Sequence, residues 1–90
     1  MSDLQAQFDK AAEEVMELPK RPDDKNLLRL YGLYKQATEG NIKDKRPGFT
    51  DVKARAKYDA WLRLRGKSEQ WAMAAYVKLV AELQHGTDGG

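Results

Sequence analysis

Apolar residues return every three or four positions along most of this chain, and no useful stretch alternates with period two. That spacing constrains the fold most, because it gathers apolar side chains on one face of an α-helix but scatters them over both faces of a strand. Leu4, Phe8, Ala11, Val15 and Leu18 set the pattern first, from a start near Asp3 that Ser2 or Asp3 can cap. Pro19 ends the segment, since a proline cannot follow inside a helix without losing a hydrogen bond. After the stiff connection 19–22, Asp23 or Asp24 caps a second helix bearing Leu27, Leu28, Leu30, Tyr31, Leu33, Tyr34 and Ala37. Gly40 is its natural stop. The apolar residues of this helix cover more than one stripe. Such a helix is buried on two sides, or packed on one and open to a ligand on another.

Residues 41–49 contain Arg46-Pro47-Gly48 and read as a loop. Thr50 or Asp51 can cap a third helix. Val52, Ala56, Ala60 and Leu64 mark one line along it, Lys57, Trp61 and Leu64 another, and Gly66 ends it. Ser68 caps the last helix, with Ala72, Ala75, Tyr76, Leu79, Val80 and Leu83 on its inner face. The expectation is one all-α domain of four helices over residues 1–90, with a core at about 4–84 and a flexible tail at 86–90.

A domain of 90 residues buries a limited fraction of its surface, so a groove or shallow bowl is easier to build than a deep cavity. No cysteine is present, which removes disulfides, cysteine-based metal sites and thiol chemistry. The first ten residues are polar with no apolar leader, and no apolar run has the length to cross a bilayer. The chain therefore reads as cytoplasmic, with no stable membrane insertion. Its net charge of +2 conceals an asymmetry: residues 43–67 hold nine Lys/Arg against three Asp/Glu. Such a segment suits an anionic partner, whether nucleic acid, membrane surface or phosphorylated metabolite.

Tyr31, Tyr34 and Lys35 stand at i, i+3 and i+4, on one helix face. Two phenols and an ammonium can stack on a nucleotide and hold its phosphate; equally, they can be a packed pair of rings with a lysine reaching to water. Lys57, one turn before Trp61, and Tyr76 on the last helix have the same two readings. His85 is the one histidine and has no evident partner, and the acidic set Asp9, Glu13, Glu14 and Glu17 suits a solvated helix face. No phosphate loop, metal-binding pair or nucleophilic triad is present, so no catalytic residue, metal or cofactor is expected.

Taken as a run, Tyr31-Gly-Leu-Tyr34-Lys35-Gln-Ala-Thr-Glu-Gly40-Asn-Ile42 resembles the signature of the acyl-CoA-binding protein family. Arg46-Pro47-Gly48 follows at the expected distance. Lys57-Tyr58-Asp59-Ala60-Trp61 is similar to the family's Lys-Trp-Asp-Ala-Trp element, and 8–15 and 72–76 also match. The resemblance, over about Phe8 to Leu83, implies an up-down-down-up bundle and a carrier of long-chain fatty acyl-CoA esters in lipid metabolism. It implies that Tyr31, Lys35 and Lys57 hold the 3′-phosphate and that Tyr34 and Tyr76 lie toward adenine and ribose. Ala12, Met16, Leu27, Leu28 and Leu30 fall to the acyl and pantetheine groove, Met16 where many members carry a basic residue. The ligand is then acyl-CoA rather than nucleic acid. The protein is expected to be a monomer that touches acyl-CoA-using enzymes only transiently. Tyr58 and Val52 replace a tryptophan and an aromatic common in the family, and neither is among the expected phosphate ligands.

Overall fold

The structure, a computed structural model, describes residues 3–86. It contains helices α1 (Asp3–Glu14), α2 (Asp24–Glu39), α3 (Val52–Leu62) and α4 (Glu69–Gln84), with a 3₁₀ turn at Val15–Glu17 and no strand among the described residues. They form the up-down-down-up four-helix bundle. Helix α2 is central: it packs on both α3 and α4, and α1 packs on α4. Apart from Gly86, the tail expected to be flexible lies outside the described residues.

Local chemistry accounts for the helix ends. The Asp23 carboxylate accepts from the Asn26 N–H at 2.8 Å, the Ser68 hydroxyl from the Trp71 N–H at 2.9 Å, and the Asp51 carboxylate from the Ala54 N–H at 3.3 Å. Each satisfies a donor that the first turn leaves without an intrahelical acceptor. At the end of α2, Gly40 takes φ 78°, open to glycine at little cost, and its N–H returns to the Gln36 carbonyl.

Two ends differ from the spacing. The first helix tightens into a 3₁₀ turn after Glu14 instead of continuing to Leu18. Pro19 disfavours a helical residue before it, and Leu18 is extended at φ −61°, ψ 137°. The third helix stops at Leu62. The chain reaches Gly66 through single turns in which Leu64 and Arg65 donate to the carbonyls of Trp61 and Leu62. Only Trp61 of α3 is fully buried, and Val52, on the line drawn through Ala56 and Ala60, is 72% exposed.

Phe8, Ala11, Leu30, Leu33, Ala37, Ala72, Tyr76, Leu79, Val80 and Leu83 form the core between α1, α2 and α4. At the other edge of α2, Gln36 is fully buried and its amide donates to Asn41 Oδ1 at 2.9 Å and to the Lys67 carbonyl at 2.8 Å. Asn41 Oδ1 also accepts from the Gly66 N–H at 2.8 Å. This junction ties the end of α2 to the turn between α3 and α4. The Trp61 indole completes it, donating to the Gly40 carbonyl at 2.9 Å.

Gly32 sets the spacing of α2 and α3. A Cβ built there would lie 2.6 Å from the Ala60 carbonyl oxygen, a backbone atom that cannot swing aside. In an open helix Gly→Ala stabilises by about 1 kcal/mol. Here the overlap outweighs that gain, and Gly32→Ala should destabilise the fold by about 1–3 kcal/mol, the usual cost of overpacking. Urea denaturation monitored by circular dichroism would show it as a lower midpoint.

Candidate functional site

Because α2 and α3 lie this close, side chains before and after Gly32 meet partners from α3. The Lys57 ammonium sits 5.5 Å from the centre of the Tyr31 ring, and the Lys35 ammonium 5.0 Å from the centre of the Trp61 ring. An ammonium over a ring face is attracted by its quadrupole, so two cations are held on aromatic seats on one side of α2. Lys35 also pairs with Glu39, one turn further on. The hydrogen bond that the Lys35 ammonium donates to the Glu39 carboxylate raises the Lys35 pKa against a smaller opposing effect of burial, with the charges of Glu39, Tyr31 and Asp44 adding to the rise. The ammonium therefore stays protonated at neutral pH.

Beside these lysines lies an aromatic group. Phe8 stacks on Tyr34 with ring centres 5.5 Å apart, and its edge meets Tyr76 at 5.1 Å; Tyr34 and Tyr76 are 5.9 Å apart. A depression of about 300 Å³ opens over them, lined by Val15, Pro22, Leu27, Leu30, Tyr31, Tyr34 and Tyr76. Its wall is apolar and aromatic, and Tyr31 links it to Lys57. The structure thus brings together Tyr31, Tyr34, Tyr76, Leu27 and Leu30, with Lys57 over the Tyr31 ring and Lys35 close enough to Tyr31 to feel its charge. Such a surface accepts a long apolar group joined to an anionic, stackable head.

Three residues expected in the groove stand apart from that depression. Ala12 is half-buried and packs against the core. Met16 is 85% exposed and lines neither hollow. Leu28 lines a different, larger hollow of about 540 Å³ between α2, α3 and α4. Sequence reasoning did not single out Val15 and Pro22 as lining residues. The 3₁₀ turn after Glu14 belongs to the segment that carries Val15, and Pro22 is buried although it sits in a connection. A proline flanked by charges gave no signal of burial.

The basic segment 43–67 is not one open cationic track. Arg46 pairs with Asp59 at 3.0 Å, Arg55 donates to the Pro47 carbonyl at 3.1 Å, and Arg65 donates to the Ile42 carbonyl at 3.2 Å. Lys57 and Lys67 lie over the rings of Tyr31 and Trp71. Much of the charge therefore pins the 40–51 connection or sits on aromatic faces. Among the described residues, no group of three His, Cys, Asp or Glu side chains could hold a metal ion.

Comparison with known proteins gives the family and the fold. The model of the family described as acyl CoA binding protein matches residues 5–80. The crystal structure of Oryza sativa Acyl-CoA-Binding Protein 2 superposes with a TM-score of 0.89 at 43% identity, covering 93% of this chain and 91% of that one. The crystal structure of ACBP from Moniliophthora perniciosa superposes with a TM-score of 0.87 at 39% identity, covering 98% of this chain and 85% of that one.

Tyr76 gives the site a measurable signature. Burial disfavours its phenolate, and the neighbouring Tyr34 adds to the effect, so its pKa is raised above the usual 10.0. The folded state then holds the proton more tightly than the unfolded chain. The resulting stability is fully present below pH 10 and is lost as pH rises through the raised folded value. Alkaline denaturation of Tyr76→Phe should accordingly show a shallower loss of stability above pH 10 than that of the unsubstituted protein.

Proposed function

The chain belongs to the acyl-CoA-binding protein family, and from that membership we propose that it is a non-enzymatic carrier of long-chain fatty acyl-CoA esters. It works as a monomer in the cytoplasm and meets acyl-CoA-using enzymes only in passing. The observation that carries this reading is the pairing of an aromatic, apolar depression with two lysines seated on rings, Lys57 on Tyr31 of its wall and Lys35 on Trp61.

In this reading Tyr31, Lys35 and Lys57 hold the 3′-phosphate on the ribose. CoA carries about four negative charges near neutral pH, by the usual ionisation of phosphates. Two ammonium groups and a phenol converging on one phosphate supply charge-assisted bonds. Tyr34 and Tyr76 offer ring surface to the adenine and ribose side. Leu27 and Leu30, with Val15 and Pro22, receive the pantetheine and the start of the acyl chain. Met16, exposed beyond the end of α1, suits a lid over the chain, since its flexible thioether adapts to irregular apolar surfaces. Leu28, in the other hollow, has no ligand role in this account.

The division of labour follows from magnitudes. Each methylene removed from water contributes about 0.8 kcal/mol, so the fourteen of a palmitoyl chain set an upper bound of roughly 11 kcal/mol. Ordering the chain and protein takes a large part of that back. The tail supplies most of the affinity, and the phosphate contacts decide which head group is accepted. Free palmitate, which lacks the head group, should raise the melting temperature only weakly beside palmitoyl-CoA.

Lys35→Ala and Lys57→Ala should each weaken palmitoyl-CoA binding by about 1.5–3 kcal/mol, the worth of a hydrogen bond to a charged group. Isothermal titration calorimetry measures this directly, and unchanged affinity in both variants would place the phosphate elsewhere. Glu39 generates an opposite expectation. Its carboxylate occupies the ammonium that the phosphate needs, so binding must exchange one anion for another. Glu39→Gln should therefore tighten binding by about 0.2–1 kcal/mol, the worth of an exposed ion pair. The same titration would read it as a lower Kd.

A further inference from the structure

The larger hollow, of about 540 Å³ between α2, α3 and α4, shares no lining residue with the depression assigned to acyl-CoA. Successive residues turn about 100° around a helix, which sends the two sets to opposite sides of α2. Leu27, Leu30, Tyr31 and Tyr34 fall on one side, and Lys25, Leu28, Arg29 and Leu33 on the other. The floor of the hollow is apolar. Leu33 and Leu79 are buried there, Leu28, Leu64 and Ala75 are half-buried, and the Trp71 ring, 43% exposed, begins the α4 wall.

The rim is basic. Lys25 and Arg29 stand on α2, Arg63 at the end of α3 and Lys78 on α4, all of them exposed. None is in an ion pair among the described residues, and Arg29 donates to the neutral side-chain carbonyl of Asn26 at 3.1 Å. Glu82 is the one acidic residue of the lining.

Shape and charge narrow the occupant. The α4 wall runs from Trp71 to Glu82, roughly 16 Å at the helical rise, or about three turns. A trough of that length fits a helix whose apolar side chains recur at i, i+3, i+4 and i+7. The cations are spread over three elements, so they match a row of carboxylates better than one compact headgroup. A small molecule needs polar groups inside a hollow to orient it, whereas the charged side chains here are all exposed at the rim. A second copy of this chain has no suitable helix to offer, because α1, its acidic helix, already turns Phe8 and Ala11 into its own core.

We propose that this hollow docks an acidic amphipathic helix of a partner protein, with apolar side chains on the floor and carboxylates along the rim. Docking there leaves the acyl-CoA depression open on the far side of α2, so the carrier can exchange its ligand while docked. That consequence rests on the carrier reading above; the docking itself does not.

The probe is a synthetic peptide of about 18 residues, long enough to hold a helix, with leucine at i, i+3, i+4 and i+7 and glutamate on both flanks. A second peptide keeps the leucines and carries lysine in place of glutamate. Each is titrated into the full chain, ligand-free and saturated with palmitoyl-CoA, and followed by amide chemical shifts. The glutamate peptide should bind at least about tenfold tighter than the lysine peptide, since only the lysine peptide sets like charges against the rim. It should shift Leu28, Trp71 and Ala75 and bind equally well with palmitoyl-CoA present. Arg29→Glu/Lys78→Glu should reverse the preference between the peptides and leave palmitoyl-CoA affinity unchanged. Trp71→Ala should weaken the glutamate peptide severalfold. Lys35→Ala, impaired toward acyl-CoA, should bind it normally, which separates failure of the carrier reading from failure of this one. No binding by the glutamate peptide, equal binding by the two peptides, or displacement by palmitoyl-CoA would overturn the proposal. Unchanged binding in Arg29→Glu/Lys78→Glu would do the same. Shifts at Leu28 and Ala75 with dodecyl phosphate but not with the peptide would assign the hollow to a small anionic amphiphile and overturn it as well.

Discussion

At Gly32 the backbone of α2 carries no side chain, and the carbonyl of Ala60 fills the space that a Cβ would need. That close approach brings the two helices into register. It sets Lys57 over Tyr31 on one side of the contact and places Trp61 beneath Lys35 on the other. A wider separation would weaken both cation–ring contacts, which act only within about 6 Å of the ring centroid. The Gln36–Asn41–Lys67 junction and the Trp61–Gly40 hydrogen bond hold the same contact from its far end. Several residues of the family signature are therefore architectural. Gln36, Gly40 and Asn41 build the frame, Tyr31 and Tyr34 line the depression, and Lys35 lies over the Trp61 ring.

The site uses each aromatic ring in more than one way. Tyr34 and Tyr76 close the core against Phe8 while offering ring surface to the depression. Trp61 is buried, donates its indole N–H to the chain and still presents a face to Lys35. A domain of this size has few large side chains to spare, so packing and recognition share them.

Much of the frame was legible before any coordinates. The caps at Asp23 and Ser68 and the stop at Gly40 follow from short-range chemistry that a sequence states directly. The bundle order and ligand class came from the resemblance to the acyl-CoA-binding family. Less legible was the distribution of apolar residues between neighbouring hollows. Leu27 and Leu28 are adjacent on α2, yet they line different cavities, because successive residues turn about 100° around a helix and only the larger hollow is also walled by α3. Val52 shares its line with Ala56 and Ala60 but lies beyond the reach of α2 and is exposed. The burial of Pro22 depends on how the 19–23 connection folds back, which periodicity does not describe.

The central claim is that Lys35 belongs to the 3′-phosphate of an acyl-CoA. Its most direct test is a calorimetric cycle with palmitoyl-CoA and its 3′-dephospho analogue, each titrated into the unsubstituted protein and into Lys35→Ala. The account predicts that loss of the phosphate weakens binding to the unsubstituted protein and that Lys35→Ala then has almost no further effect. Equal losses for Lys35→Ala with both ligands would contradict it, because the lysine would then be acting on some other part of the ligand or on the fold.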